Sequence, residues 1–589
     1  MKTGTMKNII IKSLAILAVA VFASGCIKET FPKGNTLTSE QVAASENGLA
    51  YMVNGIPAAM MTSGTAGYAG NYGFHGDFGI SAIHLMTESM LEDLVVLGET
   101  GYFWFGAWLQ NMSQGSDYIY CAYFWDCYYA WIKLANDVIA RGLAAVEAAE
   151  AEGNDPDQTV LSALGQAYTY RAMFYLDLAR LYEPKDNKIA PIGDNIKGLT
   201  VPIVTEETTE DDAKNNPRAT REKMYEFIFS DLAKAEKYLN PTDNTYNRPS
   251  LGAVYGLYAR AYLELGAADD QIDDVAYAKA AEYAQLAMKT SGRTPLTEAP
   301  WHDAQKGFND GSSNNSWIWG LTLSVENAAN IITSTAHLAP EAVWGYSILS
   351  LPSVGKAMYD RISYDDFRKK SWLDPDYTWH PSHQNYNPDH GYQFAGMDDP
   401  LSGFEPWGIY NAHDYFLSQG AAPYVNLKFR PASGQCVEYT EGNLADHVLM
   451  RIEEMYFIEI EATLYKKEKG GLDAAKRLLN EFMQTYRYRS YDCSYITSVN
   501  AFIQEMLFQK RVEFWGEGIL MFDYKRLNQG ITRGYSGTNF PAVARFNTDG
   551  RSPQWNVVIT RSEVQANEAL RTETPNNPDP TELLDTWSE

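Results

Sequence analysis

Cysteine and basic residues are scarce in this chain of 589 residues, and each shortage excludes a class of protein. Five cysteines are too few for a disulfide scaffold, so we interpret Cys121, Cys127, Cys436 and Cys493 as structural or free thiols. Lys and Arg number 48 against 74 Asp and Glu, which gives a formal net charge of −26. Such a chain repels nucleic acid, and neutral ligands suit it better than anionic ones.

Motifs for catalysis or cofactor binding are also missing. The sequence contains no G-x-S-x-G elbow, no HExxH, no P-loop and no G-x-G-x-x-G after a strand. His380, His383 and His390 share one short stretch, but proline breaks the helical spacing that a metal site would use. The adjacent carboxylates Glu92 and Asp93 are poorly placed to face each other across a glycosidic bond. We therefore expect no enzymatic activity, no metal site and no cofactor.

The first 26 residues have the pattern of a secretory leader. Lys2, Lys7 and Lys12 precede the uncharged stretch from Leu14 to Phe22, which is too short to span a membrane. The small residues before Cys26 resemble the lipobox of bacterial lipoproteins, in which the cysteine becomes the acylated first residue. An ordinary signal with a cysteine nearby is the alternative. We predict a signal peptide at 1–25 and a mature chain anchored by lipid at Cys26.

Apolar residues recur at helical spacing in several segments and indicate an α-helical frame. Two stripes, Val254 to Leu265 and Tyr277 to Met288, end at Gly266 and Gly292, and their small alanines favour an antiparallel hairpin. Such repeated hairpins are typical of tetratricopeptide-like packing, although no strict 34-residue consensus is present. Further helices are predicted at 160–181, at 221–239 with Thr220 as N-cap, and at about 444–466, 471–486 and 499–515.

A different composition begins near residue 292. The stretch 292–440 holds seven of the 14 tryptophans, and its prolines interrupt long helices. Long loops inside a globular chain tend to be functional. We divide the chain into a signal peptide (1–25), an N-terminal helical part (26–291), a loop-rich and aromatic-rich insert (292–440), and C-terminal helices with a closing segment (441–589).

Five segments, taken in order, follow motifs that together are typical of one protein family. YTYRAMFYLDL at 168–178 is similar to the family's "RAF-Y" helix, and GLTVPIVTE at 198–206 to its "GVPLVTE" strand. The helix after PRAT, 217–235, follows the pattern "PR-T…Y…I–DL–A". RIEEMY at 451–456, with Glu461-Ala462 after it, resembles "RLAEVYL…AEA". The segment 510–527 resembles the closing "RR-EF–EG-R-FDL-RW" signature, with Ile519-Leu520 and Leu527-Asn528 as departures.

Together these segments resemble the SusD/RagB-type outer-membrane lipoproteins. The resemblance implies a mainly α fold, with a tetratricopeptide-like scaffold and a loop-rich insert. Members of this family are lipid-anchored at the outer-membrane surface and capture nutrients, chiefly glycans. They act as a lid over a SusC-type TonB-dependent transporter, which is the partner that the resemblance implies here.

Charged residues within these motifs are interpreted as structural rather than catalytic. Arg171 falls on the apolar stripe of its helix, so its guanidinium should pair with a buried carboxylate. The same inter-helix pairing is expected for Glu454, Glu461, Arg511, Glu513 and Asp523.

Glycan binding needs aromatic faces for the apolar sides of sugar rings and polar neighbours for the hydroxyls. The first candidate region is 102–111, where Trp104 and Trp108 stand in a dense aromatic run. Trp108 and Asn111 are three residues apart, which on a helical turn places a ring beside an amide. The alternative is that some of these aromatic residues belong to the core.

The insert is the second candidate region. Trp344 and Tyr346 lie in a glycine-containing loop, and Trp379 and Trp407 lie in polar, proline-broken sequence where an exposed platform is possible. The segment 317–320 resembles a buried strand of the family, so its tryptophans are expected to be structural. We rank Trp108, Asn111, Trp344 and Tyr346 first.

The sequence therefore favours a non-enzymatic, cell-surface lipoprotein that captures an oligosaccharide or polysaccharide and delivers it to a TonB-dependent transporter. One alternative is the same fold carrying peptides or protein fragments. Another is a purely structural lid on the transporter, for which loss of exposed tryptophans would change nothing.

Overall fold

The computed structural model describes residues 48–62, 64, 75–96, 105–328, 331–342, 344–373, 375, 424–436 and 438–589. The chain forms two compact units, Met1–Tyr51 and Met52–Glu589. In the first unit only residues 48–51 are described, and they are helical. The predicted leader and Cys26 lie outside the described residues, as do His380, His383 and His390.

Helices dominate the described chain, which confirms the predicted mainly α class. Short 3-10 turns occur at Ala268–Asp270, Phe367–Ser371, Ala432–Gly434, Ala542–Ala544 and Pro553–Trp555. The strands are β1 (Leu94–Val95), β2 (Trp317–Leu321), β3 (Ser353–Val354) and β4 (His447–Arg451). The helices are α1 (Gly48–Met61), α2 (Ile80–Ser89), α3 (Gly106–Leu109), α4 (Ile119–Ala151), α5 (Gln158–Tyr182), α6 (Glu210–Ala213), α7 (Arg221–Tyr238), α8 (Leu251–Gly266), α9 (Asp274–Ser291), α10 (Glu298–His302), α11 (Ser334–Leu338), α12 (Ser347–Ser350), α13 (Lys356–Arg361), α14 (Tyr439–Gly442), α15 (Ile452–Tyr465), α16 (Leu472–Tyr486), α17 (Val499–Phe514), α18 (Leu520–Arg526), α19 (Arg561–Ala566) and α20 (Ala569–Thr572).

The helix ends follow the local sequence signals. Ser250 and Asp273 cap α8 and α9 with their side chains, and α9 ends at Gly292, whose φ of 61° is left-handed. Thr220 caps α7 by accepting from the Lys223 amide, as predicted. The helices predicted at 160–181, 471–486 and 499–515 are present with similar bounds.

Neighbouring helices pack as a series of hairpins. α4 packs on α5 and α5 on α7, while α8 pairs with α9, α9 with α15, and α15 with α16. The alanines of α9 that face its neighbours, among them Ala280 and Ala284, are fully buried and permit close approach. This arrangement is the tetratricopeptide-like scaffold that the helical stripes predict.

Two antiparallel strand pairs connect distant parts of the chain. β2 pairs with β4, with Trp317 opposite Arg451 and Leu321 opposite His447, and β1 pairs with β3. Trp317 and Trp319 are fully buried, as expected for a structural strand. The prediction of a helix at 444–466 was wrong at its start, because residues 447–451 form β4 and pair with β2. Its helical part begins only at Ile452.

Two chain segments lie side by side, one on each side of residues 376–423, which are outside the described residues. Trp372 forms a bridge with Asn426, and Ser353 forms one with Val425. Backbone hydrogen bonds reinforce the contact, since the Leu373 amide donates to the Val425 carbonyl at 3.0 Å. The division at 292 and 440 itself stays a prediction.

The charged family residues form ion pairs, most of which join two helices, while Arg511 pairs with the non-helical Glu92 and Asp93 and Arg526 also pairs with Asp523 on its own helix. Arg171, 1% exposed, donates from Nε to Asp231 Oδ2 at 2.7 Å and from Nη2 to Oδ1 at 2.9 Å, so it joins α5 to α7. The other pairs are Arg260 with Glu454, Arg526 with Glu461 and Asp523, Lys510 with Asp523, and Arg511 with Glu92 and Asp93.

Glu513 lies at the centre of a larger buried charge cluster. Its carboxylate accepts hydrogen bonds from Arg487 Nε at 2.7 Å, Arg368 Nη1 at 2.9 Å and Arg451 Nη1 at 3.1 Å. The cluster contains four cations and four carboxylates, so its formal charges balance. Its members are Arg368, Lys428, Arg451, Arg487, Asp366, Glu453, Glu513 and Glu517.

The four cysteines among the described residues, Cys121, Cys127, Cys436 and Cys493, are buried and free. In the part of the chain that the structure describes, no helix is long and apolar enough to span a membrane.

Candidate functional site

The loop between α11 and α12 carries two aromatic side chains that are only half-buried, Trp344 and Tyr346. Gly345 separates them, and a Cβ at this position would lie 2.8 Å from the Ala336 carbonyl oxygen. Only glycine lets the loop approach α11 so closely. Thr333 caps α11 by accepting from the Ala336 amide, so the loop rests on an ordered turn.

Tyr346 belongs to a cluster of aromatic and imidazole rings. Its hydroxyl is hydrogen-bonded to Nδ1 of His75, and its ring centroid lies 5.1 Å from that of His75 and 5.1 Å from that of His337. His337 stacks on Phe78 at 4.8 Å. These contacts fix the orientation of the tyrosine ring before any ligand arrives.

His337 is neutral behind this surface. Its Nδ1 donates to the Thr333 carbonyl oxygen at 2.7 Å, and burial lowers its pKa to about 4. Nε2 is buried and has no hydrogen-bond partner among the described residues. His337 therefore supports Tyr346 as an uncharged ring.

Trp344 lies against the single turn of α14. A Cβ on Gly442 would be 3.1 Å from Cζ2 of Trp344 and 2.1 Å from the Gln435 carbonyl oxygen. The Thr333 hydroxyl donates to Asn443 Oδ1, which joins the end of α14 to the cap of α11. Both half-buried aromatic residues thus share one rigid support.

Such an arrangement suits a neutral, ring-shaped ligand. Exposed aromatic faces stack on the C–H faces of sugars, and loops held by a rigid scaffold are common places for binding sites. No group of three or more His, Cys, Asp or Glu side chains with the geometry to hold a metal ion occurs among the described residues.

Trp108 and Asn111 lie in the core in this structure. Trp108 is 1% exposed and packs against Phe124 at 5.2 Å. Asn111 donates from Nδ2 to the Pro580 carbonyl at 2.8 Å and accepts at Oδ1 from the Leu584 amide at 3.0 Å. The C-terminal segment holds Asn111, and both side chains are buried, so neither offers a surface to a ligand in this arrangement. Their role in binding stays a prediction.

The remaining predicted site residues, Trp104, Trp379 and Trp407, lie outside the described residues. The structure also adds two residues that the sequence did not single out. His75 contacts Tyr346, and Tyr439, 40% exposed, stands on α14. No periodicity marks either residue, because each reaches this surface through a long-range contact.

Comparisons with known proteins agree with this architecture. Residues 81–263 match a family model described as SusD-like, starch-binding and associating with the outer membrane, and residues 410–573 match the model of the SusD family. Together the two segments cover more than half of the chain. No curated protein matches it.

Several solved structures have the same fold at low identity. A SusD-like carbohydrate-binding protein from Bacteroides vulgatus is 21% identical, with a TM-score of 0.63 over 90% of this chain and 97% of its own. A SusD superfamily protein from Bacteroides thetaiotaomicron is 17% identical, with a TM-score of 0.59 over 92% and 100%. Surface glycan-binding protein A of the same organism, in complex with laminarihexaose, is 17% identical, with a TM-score of 0.58 over 90% and 99%.

Proposed function

Because this chain belongs to the SusD/RagB family, we propose that it captures a glycan at the cell surface and delivers it to a SusC-type TonB-dependent transporter. The proposal includes no catalytic step. The single observation that carries it is the half-buried pair Trp344 and Tyr346, held on a rigid loop with their partners already in place. The similar glycan-binding protein solved with laminarihexaose supports a sugar as ligand.

Sugar binding by this surface has a direct test. We expect Trp344→Ala and Tyr346→Ala each to lower the association constant for the bound glycan about tenfold or more, because each removes one stacking contact. The measurement is calorimetric titration of the mature chain carrying Cys26→Ala against a panel of neutral and acidic polysaccharides and their oligosaccharides, laminarihexaose included.

Tyr495→Ala is the matched control, since Tyr495 is 74% exposed on the loop between α16 and α17. It should leave the association constant unchanged. If the wild type and both site variants bound the glycan equally well, the binding site would lie elsewhere on the protein. Absence of binding across the panel would favour the peptide-carrying alternative or the structural lid.

The lipid anchor is the second part of the proposal. Cys26→Ala should release the protein from the membrane fraction, because no acyl chain would then hold it. Fractionation of cells that lack the partner transporter checks this, with Cys436→Ala as a control that keeps the leader intact. Continued sedimentation of the Cys26→Ala protein with the outer membrane would contradict anchoring at this residue.

A further inference from the structure

A third aromatic residue borders the loop that carries Trp344. Tyr439 and Gly442 are three residues apart on the single turn of α14, so they share one side of it. Gly442 is the position at which Trp344 touches this turn. Tyr439, 40% exposed, therefore lies on the side of this turn that Trp344 touches.

The same turn places negative charge at this surface. Glu438 and Glu441 are both exposed and stand on either side of Tyr439 in the chain. Because Asn443 is hydrogen-bonded to Thr333, this turn is joined to the support of Tyr346. The backbone that carries Glu438 and Glu441 is therefore anchored to the same support as Tyr346.

No exposed cation offsets these carboxylates in the neighbouring described segments 331–342, 344–355 and 424–446. The two basic residues there, Lys428 and Arg430, are buried. Lys428 donates to Glu517 at 2.7 Å and Arg430 to Glu341 at 2.6 Å, so both charges are already used internally. An anionic ligand would meet repulsion without a compensating ion pair.

We infer that this surface selects neutral oligosaccharides over uronate-containing or sulfated ones, with Glu438 and Glu441 as specificity-determining residues and Tyr439 as a further ring contact. The inference rests on the proposed glycan-binding function. It assigns the charge selectivity to two named side chains rather than to the net charge of the whole chain.

The test compares two ligands that differ only in charge: the neutral oligosaccharide that binds best, and the same oligosaccharide after oxidation of its C6 hydroxymethyl groups to carboxylates. In Glu438→Gln/Glu441→Gln, we expect the ratio of the acidic to the neutral association constant to rise about fivefold at low salt. At about 0.5 M salt this rise should disappear, because the salt then screens the repulsion between the ligand's carboxylates and those of Glu438 and Glu441.

Glu147→Gln/Glu150→Gln is the matched control. These two residues are exposed near the end of α4, have the same three-residue spacing, and give the same change in net charge. The control should change the ratio less than twofold. An unchanged ratio in the Glu438→Gln/Glu441→Gln variant, or equal rises in both variants, would overturn the inference.

The panel separates failure of the inference from failure of the proposed function. A protein that binds glycans but prefers polygalacturonate, alginate or chondroitin sulfate would overturn only the charge selectivity. A protein that binds no glycan would overturn the proposed function, and this inference with it. Loss of affinity for the neutral oligosaccharide in Tyr439→Ala, together with retention in Tyr495→Ala, would support the third ring contact.

Discussion

Glu513→Gln is expected to lower the free energy of unfolding by about 4 kcal/mol, because it leaves buried arginines without a counter-charge. The Glu513 carboxylate accepts from Arg368, Arg451 and Arg487, and all four side chains are fully buried. The variant would have four cations facing three carboxylates. Urea-induced unfolding followed by tryptophan fluorescence measures the change.

Two further measurements check this explanation. Glu481→Gln, an exposed position on α16, should change the free energy of unfolding by about 0.5 kcal/mol or less. Burial alone would raise the pKa of Glu513, but Arg487, Arg451 and Arg368 outweigh it and hold the pKa well below its usual range. The difference in free energy of unfolding between the wild type and Glu513→Gln should therefore become smaller as the pH falls below about 4.3, the pKa of glutamate in an unfolded chain. A deficit that stays constant down to pH 2 would contradict the charge argument.

As the pH rises from 5 to 7.5, the free energy of unfolding of Glu88→Gln is expected to increase by about 3 kcal/mol relative to that of the wild type. Glu88 is fully buried on α2, and burial raises its pKa to about 8. Its Oε2 accepts from the Gly518 amide at 3.3 Å, while Oε1 has no partner among the described residues. Between pH 4.3 and 8 the folded protein therefore holds a proton that the unfolded chain releases. The free energy of unfolding contributed by this group falls as the pH rises through that window.

Urea unfolding of both proteins across this pH range gives the comparison. Glutamine stays uncharged at every pH, so the wild type alone carries the loss of stability that comes from keeping this carboxyl protonated. If the difference in free energy of unfolding between the two proteins were the same at pH 5 and at pH 7.5, Glu88 would ionise as easily in the folded protein as in the unfolded chain.

The helical scaffold could be predicted because its signals are local. The stripe of α8, its cap at Ser250 and its end at Gly266 lie within a few residues of one another. Arg171 was expected to pair because it stands on an apolar stripe, but Asp231, 60 residues later, could not be chosen from other carboxylates. β4 was missed because its extended backbone depends on pairing with β2, more than a hundred residues earlier.

The candidate site was less predictable for the same reason. Trp108 and Asn111 have spacing suited to a binding turn, but Trp108 packs on Phe124 of α4 and Asn111 is held by residues 580–584, contacts that no local pattern reveals. α4 was not identified as a helix, because its aromatic residues are spread around it rather than along one stripe. Trp344 and Tyr346 could be proposed from the sequence because a glycine-containing loop follows Pro340, while His75 and Tyr439 became visible only through contacts.

The ladder between residues 371–373 and 424–427 makes part of the insert exchangeable as a cassette. Trp372 and Asn426 are bridged, so the two ends of the stretch between them lie at one place. Arg368 and Lys428, just outside these two ends, are both fixed in the buried charge cluster around Glu513. Doubling the length of a closed loop costs only about 0.6 kcal/mol. A lineage could therefore replace the stretch between these anchors while inheriting the helical frame and the loop that carries Trp344 and Tyr346 unchanged.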